Sequence, residues 1–199
     1  MMELAGKGLD LERDGYIAVA DLLTAQEVAW YLECYGKILS GEIEAGQWRS
    51  DLGSGEPLKQ AGVENITQVM WPSELIPELL TSPAHVRALE IVRQLLGDDM
   101  AFDFDMLIDK APGTQTPTPF HQDMAYWVDL PDRRALSCWI ALDEATVDNG
   151  CMWFAPGSHR LPLRKHRWHG KPGGVLECDG SEAECVFVPL KPGSCTFHN

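Results

Sequence analysis

The stretch 119–127, Pro-Phe-His-Gln-Asp-Met-Ala-Tyr-Trp, contains the residue types best suited to metal chemistry. If residues 120–126 are extended, side chains two positions apart share a face, which places His121 beside Asp123. One imidazole and one carboxylate supply two of the three ligands of a two-histidine, one-carboxylate site. That ligand set suits Fe(II), because it leaves open positions for O2 and a cosubstrate. A His-x-Asp pair also arises by chance on solvated strands, so its interpretation depends on the rest of the chain.

The composition is typical of a globular protein. The chain has 199 residues, 45% hydrophobic and 23% charged, which is enough for one domain with a full core. Its net charge of −14 disfavours nucleic acid and anionic membranes as partners. No apolar run approaches the roughly 20 residues of a membrane span, and the first residues show no signal-peptide pattern. The six cysteines form no C-x-x-C pair, which fits reduced thiols, so we expect a cytoplasmic protein.

The first half of the chain is expected to be mainly helical. Thr24 and Glu27 have the spacing of a capping box, and apolar residues recur at helical intervals over 24–39. Ser82 and Pro83 are an N-cap and first-turn pair for a second long helix, which Gly97 would end. A short β-rich run covers 16–20, a short helix is predicted over 73–80, and residues 40–66 are predicted to be loop.

The second half of the chain is expected to be β-structure. Short strands separated by Gly and Pro turns are predicted over 100–109, 136–142, 151–154, 184–188 and 194–198. Over 100–109 the apolar residues Phe102, Phe104, Met106 and Ile108 alternate among acids, which predicts a half-buried strand with these residues on its buried face. Asp148-Asn149-Gly150 is a hairpin signal, with 151–154 as the returning strand. The pattern indicates a mainly β (α+β) fold, a jelly roll or barrel with an N-terminal helical layer. We expect a single domain over 1–199, helical to about residue 98 and β-rich over about 99–199.

Several motifs occur in one order along almost the whole chain. They are Asp14-Gly15-Tyr16, His121-Gln122-Asp123, Ser137-x-Trp139-Ile140-Ala141-Leu142, Asp148-Asn149-Gly150-Cys151-Met152, Pro156-Gly157-Ser158-His159 and Pro192-Gly193-Ser194-x-x-x-Phe197-His198. In this combination the chain resembles the phytanoyl-CoA dioxygenase family of Fe(II)/2-oxoglutarate-dependent oxygenases. The resemblance implies a double-stranded β-helix, the cupin-like form of the jelly roll.

The resemblance also implies a cofactor set and a set of site residues. His121 and Asp123 would bind Fe(II), and 2-oxoglutarate would chelate the metal and be decarboxylated to succinate while O2 oxidises a substrate C–H bond. The implied contacts are Ser137, Trp139 and Lys110 for 2-oxoglutarate, and Tyr126 and Trp127 for the substrate. His159 would be a structural loop histidine.

The third metal ligand is the point at which the chain departs from the family pattern. In similar proteins a later histidine binds the metal, and an arginine beyond it binds the far carboxylate of 2-oxoglutarate. Both would follow His198-Asn199. One interpretation is a truncated product that lacks the last strands; the other is that His198 replaces the missing ligand. We favour truncation, because a barrel without its last strands exposes an unpaired edge.

Three functions follow from these observations. The first is an oxygenase that hydroxylates a small or medium organic substrate. The alternative is a non-catalytic or differently metallated jelly-roll domain that binds a metal or ligand. A zinc hydrolase ranks last, because it lacks a third ligand and a base. The basic run 159–171 is either a solvated loop or a lip that attracts an anionic substrate. Its cations are Arg160, Arg164, Lys165, Arg167 and Lys171. Substrate identity and oligomeric state do not follow from the sequence.

Overall fold

The computed structural model describes residues 6–52, 56–57, 64–113, 117–127, 131–169 and 174–199, with the backbone alone at 56–57. The α-helices are α1 (Lys7–Asp14), α2 (Ala25–Leu39), α3 (Pro72–Leu75) and α4 (Pro83–Leu96). Short 3-10 helices lie at Gly46–Trp48, Pro77–Thr81, Asp123–Ala125, Ser158–Arg160 and Glu182–Glu184. In the described part of the chain, no helix is long and apolar enough to cross a membrane.

The strands of the described residues form four antiparallel sheets. They are β1 (Tyr16–Val19), β2 (Arg49–Asp51), β3 (Glu56–Pro57), β4 (Ile66–Met70), β5 (Met106–Lys110), β6 (Ser137–Ile140), β7 (Met152–Phe154), β8 (His166–Trp168), β9 (Leu176–Cys178), β10 (Val186–Val188) and β11 (Cys195–His198). The sheet orders are β1-β11-β6, β10-β7, β3-β2-β4-β5 and β8-β9. The fold is therefore α+β, and strands from the first half of the chain take part in two of the sheets.

The central sheet β1-β11-β6 separates the helical core from the face that carries the site. Alternation along β11 sends Cys195 and Phe197 to one side and Thr196 and His198 to the other. Cys195 and Phe197 are fully buried in a cluster that includes Leu11 of α1 and Ile91 of α4. Helices therefore cover one face of this sheet, and the opposite face carries polar side chains.

Helix α2 has the predicted cap and position. The Glu27 backbone N–H donates to Thr24 Oγ1 at 3.3 Å, and the Glu27 carboxylate accepts the Thr24 N–H at 2.7 Å. Glu27 also forms a bidentate ion pair with Arg87 of α4, at 2.7 and 2.8 Å. The capping box is confirmed, and its carboxylate joins α2 to α4.

Helix α4 begins at Pro83 and ends before Gly97, as predicted. The Ser82 hydroxyl does not cap it: this hydroxyl accepts from the Tyr31 hydroxyl and donates to the Leu79 carbonyl. Instead the buried hydroxyl of Tyr31 accepts the Ala84 N–H at 2.9 Å. A side chain of α2 therefore satisfies a first-turn donor of α4.

Gly15 is required by both backbone conformation and packing. Its φ is +83°, and a Cβ at this position would lie 2.4 Å from His159 Nδ1. The Nε2–H of His159 donates to the Glu12 carbonyl at 3.1 Å. His159 therefore joins the loop that follows β7 to the end of α1.

The prediction for 100–109 was wrong in extent and in face. The strand begins at Met106, and Leu107 is its buried residue, at 7% exposure, whereas Met106 and Ile108 are exposed. Pairing with β4 sets this register. Asp105, the residue directly before the strand, accepts a hydrogen bond from Ser73 Oγ at 2.9 Å.

Two further predictions were wrong in part. Residues 40–66 were expected to be loop, but they contain a 3-10 helix and strand β2, which pairs with β4; residues 53–55 and 58–63 lie outside the description. Residues 148–150 do turn, with the Asn149 side chain accepting the Thr146 N–H at 2.7 Å. The strands on either side of this turn do not pair with each other, because β7 pairs with β10 and β6 pairs with β11.

Candidate metal centre

The His-Gln-Asp motif lies where an extended segment ends. Gln122 is extended, with φ −121° and ψ 126°, and the 3-10 helix Asp123–Ala125 follows directly. The condition that residues 120–126 are extended therefore fails from Asp123 onwards. The side chains on either side of Gln122 still face each other, and His121 Nε2 lies 3.3 Å from Asp123 Oδ1.

Hydrogen bonding determines which nitrogen of His121 is available. Nδ1 lies 2.9 Å from the Pro119 carbonyl, which can only accept, so Nδ1 carries a proton. In the neutral ring this leaves a lone pair on Nε2, the atom that faces Asp123; when the ring is protonated, Nε2–H donates to the Asp123 carboxylate instead. A histidine that ligates a metal is held in this way by a backbone carbonyl.

The two oxygens of Asp123 have different partners. Oδ1 faces His121, whereas Oδ2 accepts from Ser137 Oγ at 2.9 Å and lies 3.3 Å from His198 Nε2. Ser137 and His198 are paired residues on β6 and β11, so the sheet register brings them to the same carboxylate oxygen.

The charges of the pair depend on burial and hydrogen bonding together. Burial opposes ionisation of Asp123, but the hydrogen bonds from His121 and His198 outweigh it and hold the pKa of this carboxyl well below its ordinary value. Burial also disfavours the charged form of His121, yet the Asp123 carboxylate and the Pro119 carbonyl raise the pKa of its imidazole. Asp123 is therefore an anion at neutral pH, as a metal ligand must be.

The hairpin β8-β9 lies along the His-Gln-Asp segment. The Gln122 N–H donates to His166 Nε2 at 3.1 Å, and Gln122 Oε1 accepts the Arg164 N–H at 2.8 Å. His166 Nδ1 lies 2.8 Å from the Arg164 carbonyl and donates to it. The Phe120 carbonyl accepts the Cys178 N–H at 2.7 Å. The residue between the two candidate ligands is thus fixed by a hairpin more than 40 positions later in the chain.

Tyr126 belongs to the same contact region. Its ring stands edge-on to the His121 ring, with centroids 5.8 Å apart. Its hydroxyl accepts the Leu176 N–H of β9 at 2.6 Å, while the side chain stays exposed. Trp127 is half-buried beside it. Tyr126 therefore restrains the His121 ring and presents a surface to solvent, and the predicted substrate contacts of Tyr126 and Trp127 remain predictions.

The three residues predicted to bind 2-oxoglutarate lie in different surroundings. Trp139 follows Ser137 by two positions on β6, so it shares the site face, and it packs against the buried cluster that contains Ala141 and Cys151. Lys110 ends β5, and its Nζ approaches Gly150 so closely that a Cβ there would lie 3.2 Å away. Burial lowers the pKa of Lys110. The Ser137 hydroxyl already donates to Asp123.

The basic run is only partly loop, since β8 lies within it. Arg164 pairs with Glu184 at 2.7 Å, and Arg167 pairs with Glu177 at 2.7 Å and with Asp179 at 2.9 Å. These cations are already engaged by acids from the neighbouring strand and loop. Lys171 lies outside the described residues.

A metal ion fits the facing pair. Two adjacent ligands with bonds of about 2.1 Å lie roughly 3 Å apart, close to the 3.3 Å between His121 Nε2 and Asp123 Oδ1. An imidazole nitrogen and a carboxylate oxygen are donors that suit Fe(II). Within the described ranges, no group of three or more His, Cys, Asp or Glu side chains is arranged to hold a metal. The described pair therefore supplies two ligands.

The chain belongs to the phytanoyl-CoA dioxygenase (PhyH) family, whose model matches residues 11–199. This confirms the resemblance read from the motifs. Among its relatives, the peroxisomal phytanoyl-CoA dioxygenase of Rattus norvegicus is 30% identical over 199 residues, covering 94% of this chain and 59% of the rat protein. The chain thus spans about three fifths of the length of curated relatives that it matches almost end to end.

Solved structures agree with this assignment. EvdO2 from Micromonospora carbonacea var. aurantiaca, complexed with 2-oxoglutarate, is similar with a TM-score of 0.75 and 27% identity, covering 100% of this chain and 81% of that one. The epimerase SnoN from nogalamycin biosynthesis, in complex with Fe3+, α-ketoglutarate and nogalamycin RO, has a TM-score of 0.67 and 26% identity. That match covers 98% of this chain and 73% of SnoN.

Sequence reasoning missed one residue of the site, His166, and gave another, His198, a different role. His166 carries no local signal, because its partner Gln122 is 44 positions away. His198 was considered only as a replacement ligand, and its contact with Asp123 appears only when β11 is placed beside β6. A strand-pairing prediction that set His198 opposite Ser137 would have found it.

Proposed function

We propose that the protein is an Fe(II)/2-oxoglutarate-dependent dioxygenase that hydroxylates a small or medium organic substrate. The observation that carries the proposal is the facing pair of His121 Nε2 and ionised Asp123 Oδ1, 3.3 Å apart. Membership of the PhyH family and the similarity to a 2-oxoglutarate-bound structure support it. We also propose that residues 1–199 form one domain, and that its sheets belong to a double-stranded β-helix.

The residues of the chain would have distinct roles in this reaction. His121 and Asp123 would hold Fe(II), which with 2-oxoglutarate and O2 supplies the oxidising chemistry while 2-oxoglutarate is decarboxylated to succinate. In the neutral ring the Pro119 carbonyl holds the proton on Nδ1, so Nε2 is the nitrogen of His121 that would bind the metal. Asp123 is already ionised, so it binds the cation without losing a proton.

Other side chains would shape the pocket around the metal. Trp139 offers an apolar wall on the site face, and Lys110 offers a cation for a carboxylate of 2-oxoglutarate. Burial lowers the pKa of Lys110, and a bound carboxylate beside it would stabilise its charged form. Tyr126 and Trp127 would contact the substrate at the exposed edge of His121.

The test is an anaerobic titration of the chain with Fe(II) and 2-oxoglutarate, followed by the visible charge-transfer band of chelated 2-oxoglutarate. We expect a band that His121→Ala removes. The matched control is His169→Ala, because His169 is exposed and paired with Glu177 on the outer hairpin; it should keep the band. Metal binding without any band would overturn the proposal and favour the alternative, a domain that binds metal without 2-oxoglutarate chemistry.

A further inference from the structure

The proposed metal centre has a carboxylate whose outer oxygen is held by two residues of the central sheet. Asp123 Oδ2 accepts from Ser137 Oγ at 2.9 Å and lies 3.3 Å from His198 Nε2. Both donors come from one register pair of β6 and β11. Asp123 itself sits on a separate segment, at the start of a 3-10 helix. The contacts therefore tie a ligand on a short turn to a strand pair.

We propose that His198 and Ser137 are positioning residues that orient Asp123, and that His198 is not itself a metal ligand. This inference rests on the proposed metal centre. A carboxylate that binds a metal through one oxygen leaves the other in need of donors. With two donors on Oδ2, the other oxygen of Asp123, Oδ1, faces His121 Nε2. The cation would bind to these two facing atoms. We call these two residues the carboxylate clamp.

The surroundings of His198 support this role. The residue is 8% exposed, and its ring lies against Phe154, with centroids 5.1 Å apart. Within the described part of the chain, Nδ1 is buried and has no hydrogen-bond partner. A buried nitrogen without a partner is unfavourable, and leucine or phenylalanine would avoid it. What the imidazole adds at this position is the Nε2–H that donates to Asp123.

The position of His198 at the site is also rigid. Strand β11 is the middle strand of its sheet, with β1 on one side and β6 on the other. The residues that flank His198 across the sheet are Tyr16 and Ser137, and Tyr16 stacks on Phe154 at 4.4 Å. A donor on a central strand holds its acceptor more closely than one on a loop would.

A Co(II) titration of the chain distinguishes the clamp from a third ligand. His198→Gln places an amide N–H near the position of Nε2, so it can still donate to Asp123. We expect it to keep Co(II) affinity within about threefold and to leave the visible Co(II) spectrum unchanged. His198→Leu and Ser137→Ala should each lower the affinity by about 10- to 100-fold. If His198→Gln instead loses binding as fully as His121→Ala, or its spectrum shows one nitrogen fewer, His198 is a ligand and the clamp is overturned. Unchanged affinity in both His198→Leu and Ser137→Ala would also overturn it.

A second measurement tests the clamp without any metal. Long-range ¹H–¹⁵N correlation of the histidine rings should show the His198 proton on Nε2, and Asp123→Ala should shift that signal. A proton on Nδ1 instead would overturn the clamp whatever the metal result. A wild-type chain that binds no Co(II) would count against the proposed metal centre alone, and the tautomer would still decide the clamp.

Discussion

Gln122 provides a sharp test of how the hairpin β8-β9 fixes the candidate ligands. Gln122→Met keeps the length of the side chain and removes the Oε1 that accepts the Arg164 N–H at 2.8 Å. The backbone contact from Gln122 N–H to His166 Nε2 stays possible. The variant therefore removes one hydrogen bond of this contact and leaves the Arg164 donor without a partner.

The expected magnitude follows from that unpaired donor. A partly buried N–H that loses its partner destabilises the closed state by about 1–3 kcal/mol. Each 1.4 kcal/mol is tenfold in an equilibrium constant, so opening at Arg164 should become roughly 5- to 140-fold more frequent. Amide hydrogen exchange measured by NMR reports this opening directly. The matched control is Gln26→Met, because Gln26 is exposed in the first turn of α2.

We expect the Arg164 amide to exchange faster in Gln122→Met, while core amides such as that of Ile91 keep their rates. Because His121 and Asp123 flank Gln122, Co(II) affinity should fall as well, and Gln26→Met should change neither quantity. An Arg164 exchange rate within twofold of wild type would refute the reasoning. Equal acceleration at Ile91 would also refute it, since that result means global rather than local destabilisation.

Two further predictions concern the helices that support the site. Tyr31→Phe should lower the free energy of unfolding, measured in urea, by about 1–3 kcal/mol, because it leaves the buried Ala84 N–H unpaired. The control Tyr35→Phe, one turn later in α2, should change this free energy by less than about 0.5 kcal/mol. Equal effects of the two variants would contradict the prediction. Glu27→Gln should lower stability by about 0.5–1 kcal/mol at pH 7, since the hydrogen bonds from Arg87 lower the pKa of Glu27 to about 2 from an ordinary 4.5. A depressed carboxyl pKa stabilises the fold above the unfolded value, so the difference between wild type and variant should shrink as the pH falls from about 5 towards 2. A difference that is constant over that range in pH-dependent urea unfolding would show that the ion pair does not contribute.

The local elements of this protein were predictable because their signals lie within a few residues. The capping box at Thr24 and the stop at Gly97 fixed both long helices. His121 and Asp123 were placed on one side because a single extended residue separates them. The family was also recognisable, because its motifs are short and occur in a set order.

The sheet topology and the other contacts of the site depended on which strands pair, and no local sequence pattern encodes that choice. The turn at 148–150 suggested that its flanking strands were partners, whereas long-range packing placed β6 beside β11 and β7 beside β10. The face of β5 was misread for the same reason, since pairing with β4 turns Leu107 inwards. The sequence by itself determined the two long helices and the two facing ligand candidates. Only the tertiary structure brought His198 to Asp123 and His166 to Gln122, because those contacts join positions 44 or more residues apart.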